Sequence, residues 1–133
     1  MLIVLDTNVI VSGLINPRGA PARVIDLVLS SAVQVAFDDR ILAEYAEVLT
    51  RPPFAFPAKD VNALLDHIQL NGIHPLVGRS PITNYPDPDD APFVEVALEA
   101  RVDALVTGYA GHFAFLADAG VLVLNPSEFL ARV

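Results

Sequence analysis

Cysteine is absent from this 133-residue chain. Neither a disulfide framework nor a thiolate metal site can therefore exist, and nothing marks an oxidising compartment. Long apolar runs are missing too, and no stretch approaches the ~20 residues that cross a bilayer. The opening Met1-Leu2-Ile3-Val4-Leu5-Asp6 reaches a charge quickly and has no basic lead-in, so a signal peptide is not expected. A cytoplasmic protein with no membrane attachment is the expectation. Positive charge is scarce: Lys and Arg number 8 against 16 Asp and Glu, a formal net charge of −8. That balance argues against a simple nucleic-acid-binding module, which carries a basic face. It remains compatible with a metal-dependent nuclease, whose carboxylates are partly neutralised by cations, and it suits a basic protein partner. The basic residues (Arg18, Arg23, Arg40, Arg51, Lys59, Arg79, Arg101, Arg132) are scattered, so any patch for RNA has to be assembled by the fold.

A hydrophobic content of 53% is enough for a real core in a chain of this length. The 11 prolines and 7 glycines punctuate the sequence and do not pool into a linker. With no repeat or low-complexity tract, residues 1–133 read as one domain.

Leu2-Ile3-Val4-Leu5 is apolar on both faces, as a buried parallel strand requires, and is expected to give way to a loop at Asp6-Thr7-Asn8. Pro21 opens a helix expected to run through Ser30. Val33 to Phe37 alternates as a second strand. Asp38 and Asp39 are candidate caps for a helix from Arg40 to Thr50, which Arg51-Pro52-Pro53 stops. Pro57 to Leu70 reads as a helix terminated by Asn71-Gly72, and His74 to Val77 as a short strand. Asp87-Pro88-Asp89-Asp90 forms a turn into a helix from Ala91 to Arg101. Ala104 to Thr107 and Val121 to Leu124 are the last strands, and Pro126 begins a short terminal helix. This alternation predicts an α/β fold with a central, mostly parallel sheet of four to five strands flanked by helices. Sites in such sheets lie outside the carboxyl ends of the strands, where Asp6 and Thr107-Gly108 fall.

Three acids then stand out. Asp6 follows the first strand, Glu44 lies within the second helix, and Asp90 lies at the start of the Ala91–Arg101 helix. Carboxylate oxygens are the hard ligands that Mg²⁺ and Mn²⁺ prefer. A metal so held orients a phosphodiester, lowers the pKa of a water and stabilises a leaving oxygen. Spacing alone does not show that the three converge. Asp6 also suits a strand-end turn, Glu44 an exposed helix face, and Asp87, Asp89 and Asp90 ordinary capping.

The stretch Val4-Leu5-Asp6-Thr7-Asn8-Val9 resembles the opening of PIN domains, in particular the VapC-like toxin components of toxin–antitoxin systems. Three later blocks are similar to that family in order and spacing: Asp87 to Phe93, Val102 to Gly108, and Leu124 to Leu130. The resemblance implies a PIN-like fold, a metal-dependent endoribonuclease, RNA as substrate, an antitoxin as partner and a homodimer. Asp6, Glu44 and Asp90 match the family's metal-site acids, with Thr7, Asn8, Asp87 and Thr107 as supporting residues and Mg²⁺ or Mn²⁺ as the cofactor. One position departs: where the family places Asp or Asn after the Thr-Gly pair, this chain has Tyr109. A neutral phenol is a poor ligand for Mg²⁺. Three readings stay open: one-metal catalysis by Asp6, Glu44 and Asp90; compensation by Asp87 or Asp103; or a weakened or silent module that binds RNA or an antitoxin. Asp103 precedes its strand and is expected at the far end of the sheet.

His112 lies a few residues past Tyr109, near the expected pocket; contact with phosphate is one reading, and a structural role capping or packing the next helix is the favoured one. His67 and His74 show no ligand spacing with it, so a zinc site is not expected. A haloacid-dehalogenase-like phosphotransferase is a weaker reading, because it requires a second Asp two residues after Asp6 and finds Asn8.

Overall fold

Strand β1 (Leu2–Leu5) lies between two neighbours and therefore buries both of its faces. Ile3, Val4 and Leu5 have no exposed surface, which explains why this strand is continuously apolar and not alternating. On one side it pairs in parallel with β2 (Gln34–Val35), Ile3 opposite Val35. On the other it pairs with β3 (Ala104–Val106), Val4 opposite Leu105. Strand β4 (Val123–Leu124) extends the sheet beyond β3, giving the all-parallel order β2-β1-β3-β4. The computed structural model describes residues 1–78 and 85–133; Arg79, one of the scattered basic residues, lies outside them.

The connections are helical. Helix α1 (Thr7–Ile15) packs on α2 (Ala20–Leu29), and Gly13 lets them approach, since a Cβ there would meet Ile25 Cδ1 at 2.5 Å. The apolar side of α2 is turned inward through Ala22, Val24, Ile25 and Val28. Helix α3 (Asp39–Leu49) starts on Asp38, whose carboxylate accepts from the Ile41 N–H at 3.0 Å. Helix α4 (Ala58–Asn71) ends at Gly72, where backbone crowding excludes a side chain: a Cβ would stand 2.4 Å from the Val35 carbonyl oxygen. Helix α5 (Ala91–Ala100) follows a single 3-10 turn, Pro88–Asp90. Helix α6 (Pro126–Leu130) opens with a capping box between Asn125 and Glu128. Among the described residues, no helix is long and apolar enough to cross a membrane.

Three expectations are corrected. No loop follows β1: α1 begins at Thr7 directly after Asp6, because Asp6 has the extended backbone of a helix N-cap. His74 to Val77 is not a strand. Among the described residues, pairing in that region is limited to one parallel bridge between Ile73 and Ala36, and Leu76 is left 90% exposed. Strands β2 and β4 are shorter than their apolar patterns, since pairing with β1 and β3 ends sooner than the hydrophobic run. A ten-residue 3-10 helix, Ala110–Ala119, also stands between β3 and β4, where no 3.6-residue apolar period marks it; it is anchored by buried Phe113 and Leu116.

Candidate functional site

The carboxyl end of β1 delivers Asp6 to the rim of the sheet, beside the end of β3. The sheet ladder continues one step past the strands, with the Asp6 N–H donating to the Val106 carbonyl at 2.9 Å. The neighbouring strand then contributes Thr107, which is fully buried and donates its hydroxyl to Asp6 Oδ2 at 2.7 Å. Asn8 reaches the same carboxylate oxygen through its amide at 3.0 Å, and its own carbonyl oxygen accepts from the Gly108 N–H at 3.1 Å. Residues about a hundred apart in the chain are thus clamped into one corner. Thr107 Oγ1 also accepts from the Tyr109 N–H at 3.0 Å, so the same hydroxyl sets the course of the chain leaving β3.

Glu44 arrives from α3. The following residue, Tyr45, is fully buried and donates its hydroxyl to the carbonyl of Leu5, the residue before Asp6. This bond fixes the turn of α3 that carries Glu44 against the end of β1. Thr7, the first residue of α1, donates its hydroxyl to Glu44 Oε2. Asp90 arrives from the turn into α5. There Asp87 caps the turn by accepting from the Asp89 N–H at 3.0 Å. Asp6, Thr7, Asn8, Glu44, Asp87, Asp89, Asp90, Arg51 and Tyr109 line one cleft of about 530 Å³.

Electrostatics show the cost of this arrangement. Burial pushes the Asp6 carboxyl above its usual range, against the hydrogen bonds of Thr107, the Thr7 backbone and Asn8, which pull it down. Burial likewise raises Glu44, with the charges of Asp6 and Asp89 adding to it and the Thr7 hydroxyl opposing. Asp90 is pushed up to about 6, first by burial and then by the charges of Asp6 and Asp87. Its Oδ2 is shut off from solvent and has no hydrogen-bond partner, although the residue as a whole is only partly buried. A buried, unpartnered carboxylate oxygen on a residue that feels the charges of other acids is an unfavourable state that a cation relieves.

Among the described residues, no group of three or more His, Cys, Asp or Glu side chains is placed to hold a metal ion as it stands. The donor chemistry nonetheless fits a hard divalent cation: all candidate ligands are oxygens, three are destabilised by one another's charge or by burial, and one oxygen is orphaned.

The remaining sequence candidates separate cleanly. Asp103 accepts from the Leu2 N–H at 2.8 Å, at the amino end of the sheet and far from the cleft. His67 hydrogen-bonds Asn71 on α4, and His74 contacts Asp39 at 3.0 Å, so neither joins the acids. His112 does not pack the core; that role falls to Phe113. Instead it is exposed, its ring stacks on Tyr109 with centroids 5.5 Å apart, and its charge lowers the pKa of both Asp6 and Asp90. Two contributors escaped the sequence reading. Tyr45 looked like one more helical residue beside Glu44, and only its complete burial next to a strand carbonyl identifies it. Arg51 looked like part of a helix stop.

A four-stranded parallel sheet with acids gathered at its carboxyl end matches a known pattern. The sequence model of the PIN domain family fits residues 2–108, and the chain belongs to that family. Domains of this family have a nuclease-type fold and are generally nucleases that use divalent metals. The chain is also similar to an uncharacterized protein of Methanocaldococcus jannaschii, being 29% identical over 110 residues, which cover 80% of this chain and 69% of the relative.

Proposed function

We propose that residues 1–133 form one metal-dependent endoribonuclease domain that hydrolyses RNA phosphodiesters at the Asp6–Glu44–Asp90 cleft. The observation that carries this reading is the orphaned, buried Asp90 Oδ2 in a cleft it shares with two other destabilised carboxylates. Asp6, Glu44 and Asp90 would hold Mg²⁺ or Mn²⁺, which supplies a Lewis acid that polarises the phosphodiester and makes water a better nucleophile at neutral pH. Thr107 and Asn8 oppose the effect of burial on Asp6 and hold its carboxylate in place, and the Thr7 hydroxyl does the same for Glu44. Asp87 shapes the turn and strengthens the negative field at Asp90. Calorimetric titration with Mn²⁺ tests the site. One or more ions should bind to the wild type, and Glu44→Gln should weaken that binding at least tenfold; equal binding by both proteins would remove Glu44 from the site.

Within this reading the protein is a cytoplasmic toxin of a toxin–antitoxin pair, acting as a homodimer and silenced by an antitoxin that sets a basic side chain among the carboxylates. A tagged preparation should co-purify with the product of an adjacent gene, and loss of that partner should expose ribonuclease activity. One observation favours a second reading, a silent module that binds RNA or an antitoxin. Tyr109, 60% exposed, occupies the cleft where a further acid is expected. A folded protein that binds RNA but takes up no Mn²⁺ would select it.

A further inference from the structure

The cleft presents a problem of charge that the proposed reaction must solve. Its described lining holds five carboxylates, Asp6, Glu44, Asp87, Asp89 and Asp90, and one cation, Arg51. A phosphodiester approaching that lining is repelled by more negative charge than one divalent ion cancels. Arg40, another cation among the described residues, is taken up by Asp38 and Glu95, each at 2.7 Å.

We propose that Arg51 is the phosphate-binding residue of this cleft, a function that rests on the nuclease reading above and names the group that lets RNA enter. Glu44, Val48 and Arg51 recur at helical spacing and line the cleft along one side of α3 and its extension. Arg51 is close enough to Glu44 for that carboxylate to raise its pKa, although the larger influence is its hydrogen-bonded partner Glu47. Its backbone is held: the Arg51 N–H donates to the Val48 carbonyl at 3.3 Å, its carbonyl accepts from the Phe54 N–H at 3.1 Å, and Pro52 restricts its conformation. The guanidinium therefore leaves a fixed anchor and retains freedom only in its side chain.

At rest that side chain is paired with Glu47 through two hydrogen bonds, of 3.1 and 2.8 Å. Both groups are more than half exposed, and an exposed pair of this kind contributes little to stability. The fold does not depend on it. The same two-pronged geometry that accepts a carboxylate accepts two phosphate oxygens. Incoming RNA exchanges with Glu47, which turns to solvent. No covalent bond is made or broken in this step.

The test is fluorescence anisotropy of a labelled single-stranded RNA on the full chain, in EDTA and over a series of salt concentrations, with Asp6→Asn as the background so that no cleavage intervenes. Arg51→Ala should weaken binding several-fold and reduce the slope of log affinity against log salt by about 0.7, the loss of one single-strand phosphate contact. Arg51→Lys should restore most of the slope. Glu47→Gln, which breaks the same ion pair from its other end, should bind as tightly as the background protein or more tightly. An unchanged slope in Arg51→Ala, or equal weakening by Glu47→Gln, would show that the pair is structural and overturn the proposal. RNA bound in an Arg51-dependent manner by a wild type that never cleaves would uphold Arg51 while removing the nuclease reading.

Discussion

The Tyr45 hydroxyl donates to the carbonyl of Leu5, so the residue after Glu44 is tied to the residue before Asp6. Together with the Thr7 hydroxyl's bond to Glu44, it couples α3 to the end of β1 and seats Glu44 beside Asp6. Burial and the charges of Asp6 and Glu44 hold the Tyr45 phenol far above its ordinary pKa, so it remains a proton donor at every working pH.

Tyr45→Phe removes that donor, leaves the ring in place and strands a buried carbonyl. The expected cost is about 1–3 kcal/mol of stability, read from the denaturant midpoint with an unchanged slope. Metal affinity should fall as well. A stable variant with unaltered Mn²⁺ binding would show that Glu44 is positioned by something else.

Thr107→Val keeps the shape of a fully buried residue and deletes both of its hydrogen bonds, to Asp6 and from Tyr109. Stability should drop by about 1–3 kcal/mol. Since the Thr107 hydroxyl lowers the Asp6 pKa, its loss should move the acid limb of the pH–rate profile to higher pH. A profile that shifts the other way, or not at all, would contradict the role given to Thr107.

Metal-free protein should be less stable at neutral pH than in mild acid on account of Asp90. Its folded-state pKa of about 6 lies above the unfolded value of ~3.9. The protonated form is therefore the one the fold favours, and its contribution is complete below the unfolded pKa and lost as pH rises through the folded one. Asp6 and Glu44 are raised as well and act in the same direction. Carbon-detected NMR in EDTA should show Asp90 titrating near 6, and added Mn²⁺ should recover melting temperature at neutral pH. Titration of Asp90 in the ordinary carboxylate range would remove the repulsion on which the site rests.

Gly72→Ala should be costly for a reason unrelated to the site. An added Cβ would press on the carbonyl oxygens of Val35 and Ile68, at 2.4 and 2.5 Å, and neither backbone can yield cheaply. A loss of about 1–3 kcal/mol is expected, measured by thermal melting; a neutral substitution would mean that the end of α4 is free to shift.

The sheet was largely legible because β1 and β3 are buried on both faces and so spell their burial as unbroken apolar runs. Helices α2 to α5 declared themselves through caps and stops, notably Asp38, Pro57 and Gly72. Helix α1 did not, since Asp6-Thr7-Asn8 reads as a turn; in the fold Thr7 and Asn8 are helical and turn polar atoms to Glu44 and to the Gly108 N–H, contacts distant in sequence. The 3-10 helix at Ala110–Ala119 has no 3.6-residue pattern to detect. The acids were visible as residue types and Thr107 through the resemblance, but the seating of Glu44 beside Asp6 involves Tyr45, whose bond to a carbonyl forty residues away leaves no local mark.

Cleavage of a mixed pool of structured RNAs by purified protein tests the central claim most directly, with Mn²⁺, Mg²⁺ or EDTA and the Asp6→Asn variant alongside. The expected result is cleavage that requires a divalent metal and is abolished in a still-folded Asp6→Asn protein. Equal cleavage by wild type and Asp6→Asn, or cleavage that persists in EDTA, would contradict a metal-dependent site built on Asp6.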